Sequence, residues 1–444
     1  MHNLQASNRR SFMQQLLAGM GSLSISGISR LQAEAGISSK RNDKSLILLW
    51  QDGGPSHFET FDPKPEAPVE IRGDLGAIST RLPGIQFCEV LPQLAKIADR
   101  YTIIRSLHQA SSGHVSATHT FVTGYDRTGT IKGPPANPDM SVIINYMRSG
   151  RNGELPNYVG IPGQSRGGAA YLGPSYGPFS VDGDPSKSDF KIDYLQLPKS
   201  VSPDRVTQRS RLLNEVDRLR RDFDKSSELK SMGHFQRQAY ELVLGKATET
   251  FDLSREDPRL RERYGMHMAG QQALLARRLV EAGVSVVTVR FHPPGPWHSS
   301  WDDHPCGTHV FGTMKGRGAL FDQALSALIE DLGDRGLDEK VLLVVAGEFG
   351  RTPKIRNFDG VPGRDHWGHA GCALVYGGGM QMGQVIGATN PLGERPAERP
   401  IVPQDVLATI YQFLGIDQHH LLQDIEGRPL PILPHGTAIP ELIG

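Results

Sequence analysis

Uncharged apolar runs that stop abruptly at polar turns constrain this chain most. SLILLWQ at 45–51 is unbroken and closes on Asp52-Gly53-Gly54-Pro55. A strand with one wet face alternates apolar and polar residues, so a continuous run fits a parallel strand buried on both faces. The same pattern recurs in YTIIRSL (101–107), VSVVTVRF (284–291), KVLLVVAG (340–347) and CALVYGGG (372–379). Helical patterns alternate with these runs at 88–99, 115–123, 203–249, 256–282, 314–335 and 403–415. The last opens at Pro403 with Asp405 in its first turn, a sound helix start. Strand alternating with helix predicts an α/β fold with a central, mostly parallel sheet sandwiched by helices. Residues 150–200, rich in Gly, Pro, Tyr and Ser, predict a long structured excursion over one sheet edge. Neither an internal repeat nor a low-complexity linker interrupts the chain, so 45–444 is expected to form a single domain.

The 444 residues carry no net formal charge and no long basic run, so nucleic acid is not an implied partner. Cys88, Cys306 and Cys372 lie far apart without a C-x-x-C pair, which argues against a thiolate zinc site or a disulfide framework. One bridge at most could form. Residues 1–35 read as a targeting segment: Arg9 and Arg10 are paired, Phe12 follows, no acid precedes Glu34, and Ala33-Glu34-Ala35 fits a small-x-small cleavage site. This segment resembles a twin-arginine signal and predicts a periplasmic or extracellular location. No apolar run is long enough to span a membrane once such a signal is removed.

Chemistry-bearing residues gather in four segments, each beside an expected strand end or turn. Asp52, Ser56 and His57 follow the first strand, where ligands of open α/β sheets bind, although an Asx-turn would use the same residues. SSGHVSATHTFVTG holds His114, Ser116, Thr118 and His119. A helix starting near Gly113 would turn its free N–H groups towards an anion there and place a hydroxyl or imidazole for attack, or Ser111 or Ser112 would cap it. FHPPGPWHSSWDDHPCGTH holds His292, His298, Asp302, Asp303, His304 and His309, the ligand types of divalent zinc, manganese or calcium. GEFGRTPKIRNFDGVPGRDHWGHAG adds Glu348, Arg351, Asp365, His366 and His369. Four such segments at one end of a parallel sheet point to a metal-centred site.

GGPSH with TFDPKP, WDDH, GEFGRTP, GRDHW and GGGMQMGQVIGATN together resemble the domain-of-unknown-function 1501 family, from about residue 45 to the C-terminus. That family is grouped with the alkaline phosphatase and sulfatase superfamily. The resemblance implies an alkaline-phosphatase-like fold and metal-dependent hydrolysis of phosphate or sulfate esters. It implies metal ligands at Asp52, Asp302, His304, Glu348 and His366, with Phe349 standing where relatives carry a histidine. Arg351 would face the anionic group, its planar fork suiting phosphate or sulfate oxygens. The sulfatase motif C/S-x-P-x-R ahead of a Thr-Gly pair is not kept. Counting back from Thr123-Gly124 puts His114 at the nucleophile's place, with Ser116 and Thr118 out of register. Either His114 takes that role, a water activated by the metal does, or the chemistry is lost.

The expectation is therefore an exported metal-dependent hydrolase of an anionic ester, possibly on a sulfated or phosphorylated glycan. His114, Ser116 and Arg351 are its catalytic candidates, and His57, His119, Asp365 and His369 would contact substrate. The alternative is a catalytically degenerate relative that binds a carbohydrate or envelope ligand in the same pocket.

Overall fold

The computed structural model describes residues 43–126, 136–149, 155–163, 167–192, 246–291, 300–305 and 309–444, together with residue 208. The signal-like segment 1–35, nearly all of the expected helix 203–249, and His292, His298 and Cys306 lie outside the described residues.

The main sheet contains eight strands: β1 (Ser45–Trp50), β2 (Thr102–Leu107), β3 (Tyr158–Ile161), β4 (Phe179–Ser180), β5 (Val286–Arg290), β6 (Val341–Ala346), β7 (Gly371–Gly377) and β8 (Gln384–Ile386). Their order across the sheet is β8-β2-β7-β6-β1-β5-β3-β4. All run parallel except β7, which is antiparallel to both its neighbours, β2 and β6. All six residues of β1 are buried, which is why its sequence shows no polar alternation. Leu46, Leu48 and Trp50 join one core cluster, and Ile47 and Leu49 join the other. Helices α1 (His114–Thr123), α2 (Met140–Met147) and α5 (Pro403–Leu414) build the first cluster. Helices α3 (Met268–Glu281) and α4 (Val310–Asp334) build the second. The expected sheet between helices is the architecture observed.

Differences from the sequence reading are local. The pattern at 256–282 divides into a helix at Pro258–Tyr264 and α3, because Gly265 has φ of 94° and a side chain there would strike the His267 ring. The 88–99 pattern yields a helix only at Pro92–Lys96 and a 3-10 turn at Ala98–Arg100. The 150–200 excursion supplies β3 and β4 at one sheet edge, and β8 is too short to show a period. Cys88 and Cys372 are free thiols. Among the described residues no helix is long and apolar enough to cross a membrane.

This topology explains why the polar segments meet. The residues that follow β1, β2, β5 and β6 emerge at the same edge of the sheet. The reversed strand β7 begins at that edge, so the residues that precede it, including His366, arrive there too.

Midway along α4, Asp322 holds a neighbouring element. Its carboxylate accepts the N–H groups of Gln93 and Leu94 at 2.8 and 2.7 Å, satisfying the start of the Pro92–Lys96 helix. Asp322→Ala should lower the unfolding free energy by about 2 kcal/mol. Asp322→Asn, which keeps one acceptor oxygen, should lose less. Urea unfolding of the two variants beside the parent checks both values.

Candidate metal centre

The centre is built on Asp302, in the loop after β5. His114, the first residue of α1, turns Nε2 to Asp302 Oδ2 at 3.2 Å and Nδ1 to Glu348 Oε1 at 2.7 Å. Both carboxylates accept from the protonated imidazole, and loss of the Nε2 proton frees that atom for a cation. Hydrogen bonds donated to Asp302 and then to Glu348 push His114 up to about 9, against the burial that opposes its charge. His366 Nε2 lies 3.1 Å from Asp302 Oδ1 and 2.8 Å from His304 Nε2. His304 Nε2 is itself 3.1 Å from Asp302 Oδ1. Burial would raise the Asp302 carboxyl. The hydrogen bonds of His114 and His366 and the charge of Arg351 outweigh it and hold Asp302 well below the usual carboxylate range. Burial depresses His304, with Asp302 pulling the other way.

Two of these rings are backed by carboxylates. Glu348, 2 % exposed, accepts from His114 and, at 2.9 Å, from the Gly53 N–H. Asp365 Oδ1 is 3.4 Å from His304 Nδ1, and its Oδ2 pairs with Arg356 at 2.7 Å. A carboxylate behind Nδ1 fixes which nitrogen faces the centre, the arrangement that orients metal-binding histidines. Ligand atoms of His114, Asp302 and His366 all fall within 4.8 Å of one another, the spread that one cation bridges. Glu348 Oε2 is buried without a hydrogen-bond partner among the described residues, an orphaned anionic atom that calls for positive charge nearby. The donor set therefore fits a divalent ion. Phe349 floors the cluster, its ring 4.6 Å from His366 and 5.2 Å from His114. Gly54, with φ of 77°, lies so close that a Cβ would enter the Phe349 ring.

The remaining expected site residues are placed differently. The Asp52 carboxylate pairs with Arg290 at 2.7 Å rather than turning to the cluster. Arg351 was expected to face an anion, but it is 1 % exposed and its guanidinium is engaged from all sides. It donates to the carbonyls of Gly54 (2.8 Å), Arg364 (3.1 Å), Trp301 (3.3 Å) and Gly53, and to Asp302 Oδ1 (2.6 Å). The Ser116 hydroxyl bonds Ser111 Oγ and the Gly113 carbonyl, local to the start of α1. His57 is 1 % exposed, with Nε2 on the Gly393 carbonyl at 2.9 Å, and packs on Phe58 instead of opening to a substrate. His119 is buried within α1 against Thr123 and the Tyr125 carbonyl. His369 rests against Trp367, ring centres 4.9 Å apart. Asp303 makes a buried two-pronged pair with Arg317 at 2.7 and 3.0 Å, and His309 caps α4.

The sequence reading passed over two arginines. Arg290 ends β5 as a single charge closing an apolar run, and that position was its signal. Arg364 stands inside GRDHW, fully buried, and grips Glu59 at 2.8 Å together with the carbonyls of Thr352, Pro353 and Ile71.

A doubly covered α/β sheet bearing a histidine–carboxylate cluster at its strand ends defines the class of protein. The chain belongs to the family described as protein of unknown function (DUF1501), which it matches over residues 43–443. Among solved structures it is similar to a sulfatase from Pseudoalteromonas sp., with 16% identity, 88% of this chain and 70% of that one covered, and a TM-score of 0.37. It is also similar to a phosphonate monoester hydrolase from Silicibacter pomeroyi (12%, 88% and 76%, TM-score 0.31). A third likeness is to an alkaline phosphatase superfamily protein from Vibrio parahaemolyticus (11%, 84% and 67%, TM-score 0.33). No curated protein sequence matches the chain.

Two stability effects follow from the buried groups around the cluster. Burial pushes His57 from 6.5 down to about 4. Between those values the unfolded chain binds a proton that the folded chain refuses, so stability rises with pH there and is lost as pH falls through the window. The loss should approach about 3 kcal/mol near pH 4, and His57→Gln should flatten that part of the profile in urea titrations run across the window. Arg364→Ala, which strands the Glu59 carboxylate in the core, should cost about 3–5 kcal/mol, read from the same unfolding curves.

Proposed function

We propose that this protein is an exported, metal-dependent hydrolase of an anionic ester, a sulfate or phosphate ester. The observation that carries the reading is the convergence of the His114, His304 and His366 Nε2 atoms on the Asp302 carboxylate. Those four residues would hold the ion, and a nitrogen-rich set suits zinc or manganese better than calcium, which takes oxygen ligands. A bound divalent cation supplies Lewis-acid polarisation and neutralises charge on an ester oxyanion.

The protein groups have separable tasks. Glu348 and Asp365 hold the His114 and His304 rings by their Nδ1 protons. Arg351 keeps Asp302 in place rather than gripping substrate. Among the described residues no side chain caps the start of α1 at Gly113, which leaves its first-turn N–H groups to receive an anionic oxygen. Arg356, 60% exposed, presents a guanidinium one carboxylate away from His304. The N-terminal twin-arginine pattern supports export of a folded, metal-loaded chain.

A second reading, a non-catalytic relative that binds a carbohydrate or envelope ligand, is favoured by one arrangement. Arg351 is saturated by backbone carbonyls, and Ser116 turns to its own loop, so Arg351 offers no anion clamp and Ser116 no free nucleophile.

Competition titration with zinc and manganese should show uptake by the full chain that Asp302→Ala abolishes. Glu348→Gln should weaken it about 10–100-fold, as expected for a group that orients a ligand rather than binding the ion. The metal-loaded chain should hydrolyse an aryl sulfate or aryl phosphate, and His304→Ala, which removes one of the residues that would hold the ion, should slow turnover about 100-fold or more. A chain that refuses both metals overturns the metal reading; metal uptake without turnover of either ester leaves the binding protein.

A further inference from the structure

A second site stands apart from the metal cluster. A cavity of about 910 Å³ lies beside the core built by α1, α2 and α5, with Tyr125 and Tyr171 in its wall. Tyr125 follows the C-cap of α1, whose first residue is His114. Ten helical residues at about 1.5 Å each separate the two places by roughly 15 Å. The Tyr125 hydroxyl donates to the Pro431 carbonyl, pinning that ring to the hairpin of Leu421–Gln423 and Pro429–Pro431.

Polar groups on the wall fall into two kinds. The charged ones are matched among themselves: Arg428 pairs with Asp424 at 2.8 Å and with Glu426 at 3.0 Å. Asp424 also accepts the N–H groups of Glu426 and Arg428 at 2.8 and 2.9 Å. Among the described residues an ionic ligand would find no unmatched countercharge there. The neutral groups are unmatched. Asn137 is 9% exposed, yet its amide makes no hydrogen bond among the described residues, and neither does the Tyr171 hydroxyl. An amide on a cavity wall offers one acceptor and two donors, which a ligand that both donates and accepts can match. The rest of the wall is largely alanine, proline and leucine surface.

We propose that this cavity binds one neutral sugar ring of a saccharide. The apolar C–H face of such a ring lies against tyrosine, and its hydroxyls donate and accept at once, which matches the Asn137 amide and the Tyr171 hydroxyl. The size and mixed lining are those of small-molecule pockets, and recognition needs no cation. The site therefore stands whether or not the metal cluster hydrolyses an ester.

Saturation-transfer NMR on the chelator-treated full chain tests this, with neutral methyl glycosides of glucose, galactose, mannose and fucose as probes. The expected result is transfer to the ring protons of at least one glycoside. Asn137→Ala and Tyr171→Phe should each weaken its binding about tenfold at an unchanged melting temperature. If Asn137→Ala does not fold, Tyr171→Phe carries the comparison alone. Lack of transfer to every glycoside overturns the proposal, as does equal binding by the variants. Transfer to p-cresol without transfer to a glycoside overturns it too, because it leaves only an apolar slot. Binding that appears only after metal is restored would assign the sugar to the metal cluster and likewise overturn it.

Discussion

One buried guanidinium holds this site together. Arg351 joins the turn after β1, through Gly53 and Gly54, to the loop after β5, through Trp301 and Asp302, and to the strand end at Arg364. Backbone carbonyls at such loop ends have no sheet partner, and leaving them unpaired in a buried place would be costly. Arginine suits the task because its fork of donors is planar and always charged, whereas a lysine offers a single point. The same charge joins the hydrogen bonds of His114 and His366 in ionising Asp302, so one side chain bears on both the position and the protonation of the central carboxylate. His366 is the residue paired across the short ribbon from Arg351, which carries that ring to the same carboxylate.

The fold was legible because burial on both sheet faces leaves a strong mark. β1, β5 and β6 read directly as unbroken apolar runs, and their ends located the chemistry. Short edge strands such as β4 and β8 leave too few residues for any pattern. The cluster residues His114, Asp302, His304, Glu348 and His366 were legible as types and positions. The directions of their neighbours were not. Asp52 turns to Arg290 because Trp50 pairs with Arg290 in the sheet, a register that sequence does not display. Arg351 and His57 point inward for a similar reason: which side of a loop is wet depends on contacts hundreds of residues away.

Phe349 alters the character of the cluster. Where the family resemblance leads one to expect an imidazole, a ring of hydrocarbon lies under His114 and His366. Apolar flooring lowers the local dielectric, so each charge–charge contact above it is stronger than at an open surface. The donors above it converge on a single carboxylate.

The reversed direction of β7 has a consequence in time as well as in space. Because β7 starts at the functional edge, the His366 ring can reach Asp302 only after the chain beyond it has doubled back between β2 and β6. Glu348 and Gly53 are likewise separated by 295 residues. A chain emerging from the ribosome therefore completes its first strand long before the cluster can assemble. The cluster can form only once the distant segments have met, and an incomplete chain carries its histidines and carboxylates as isolated side chains.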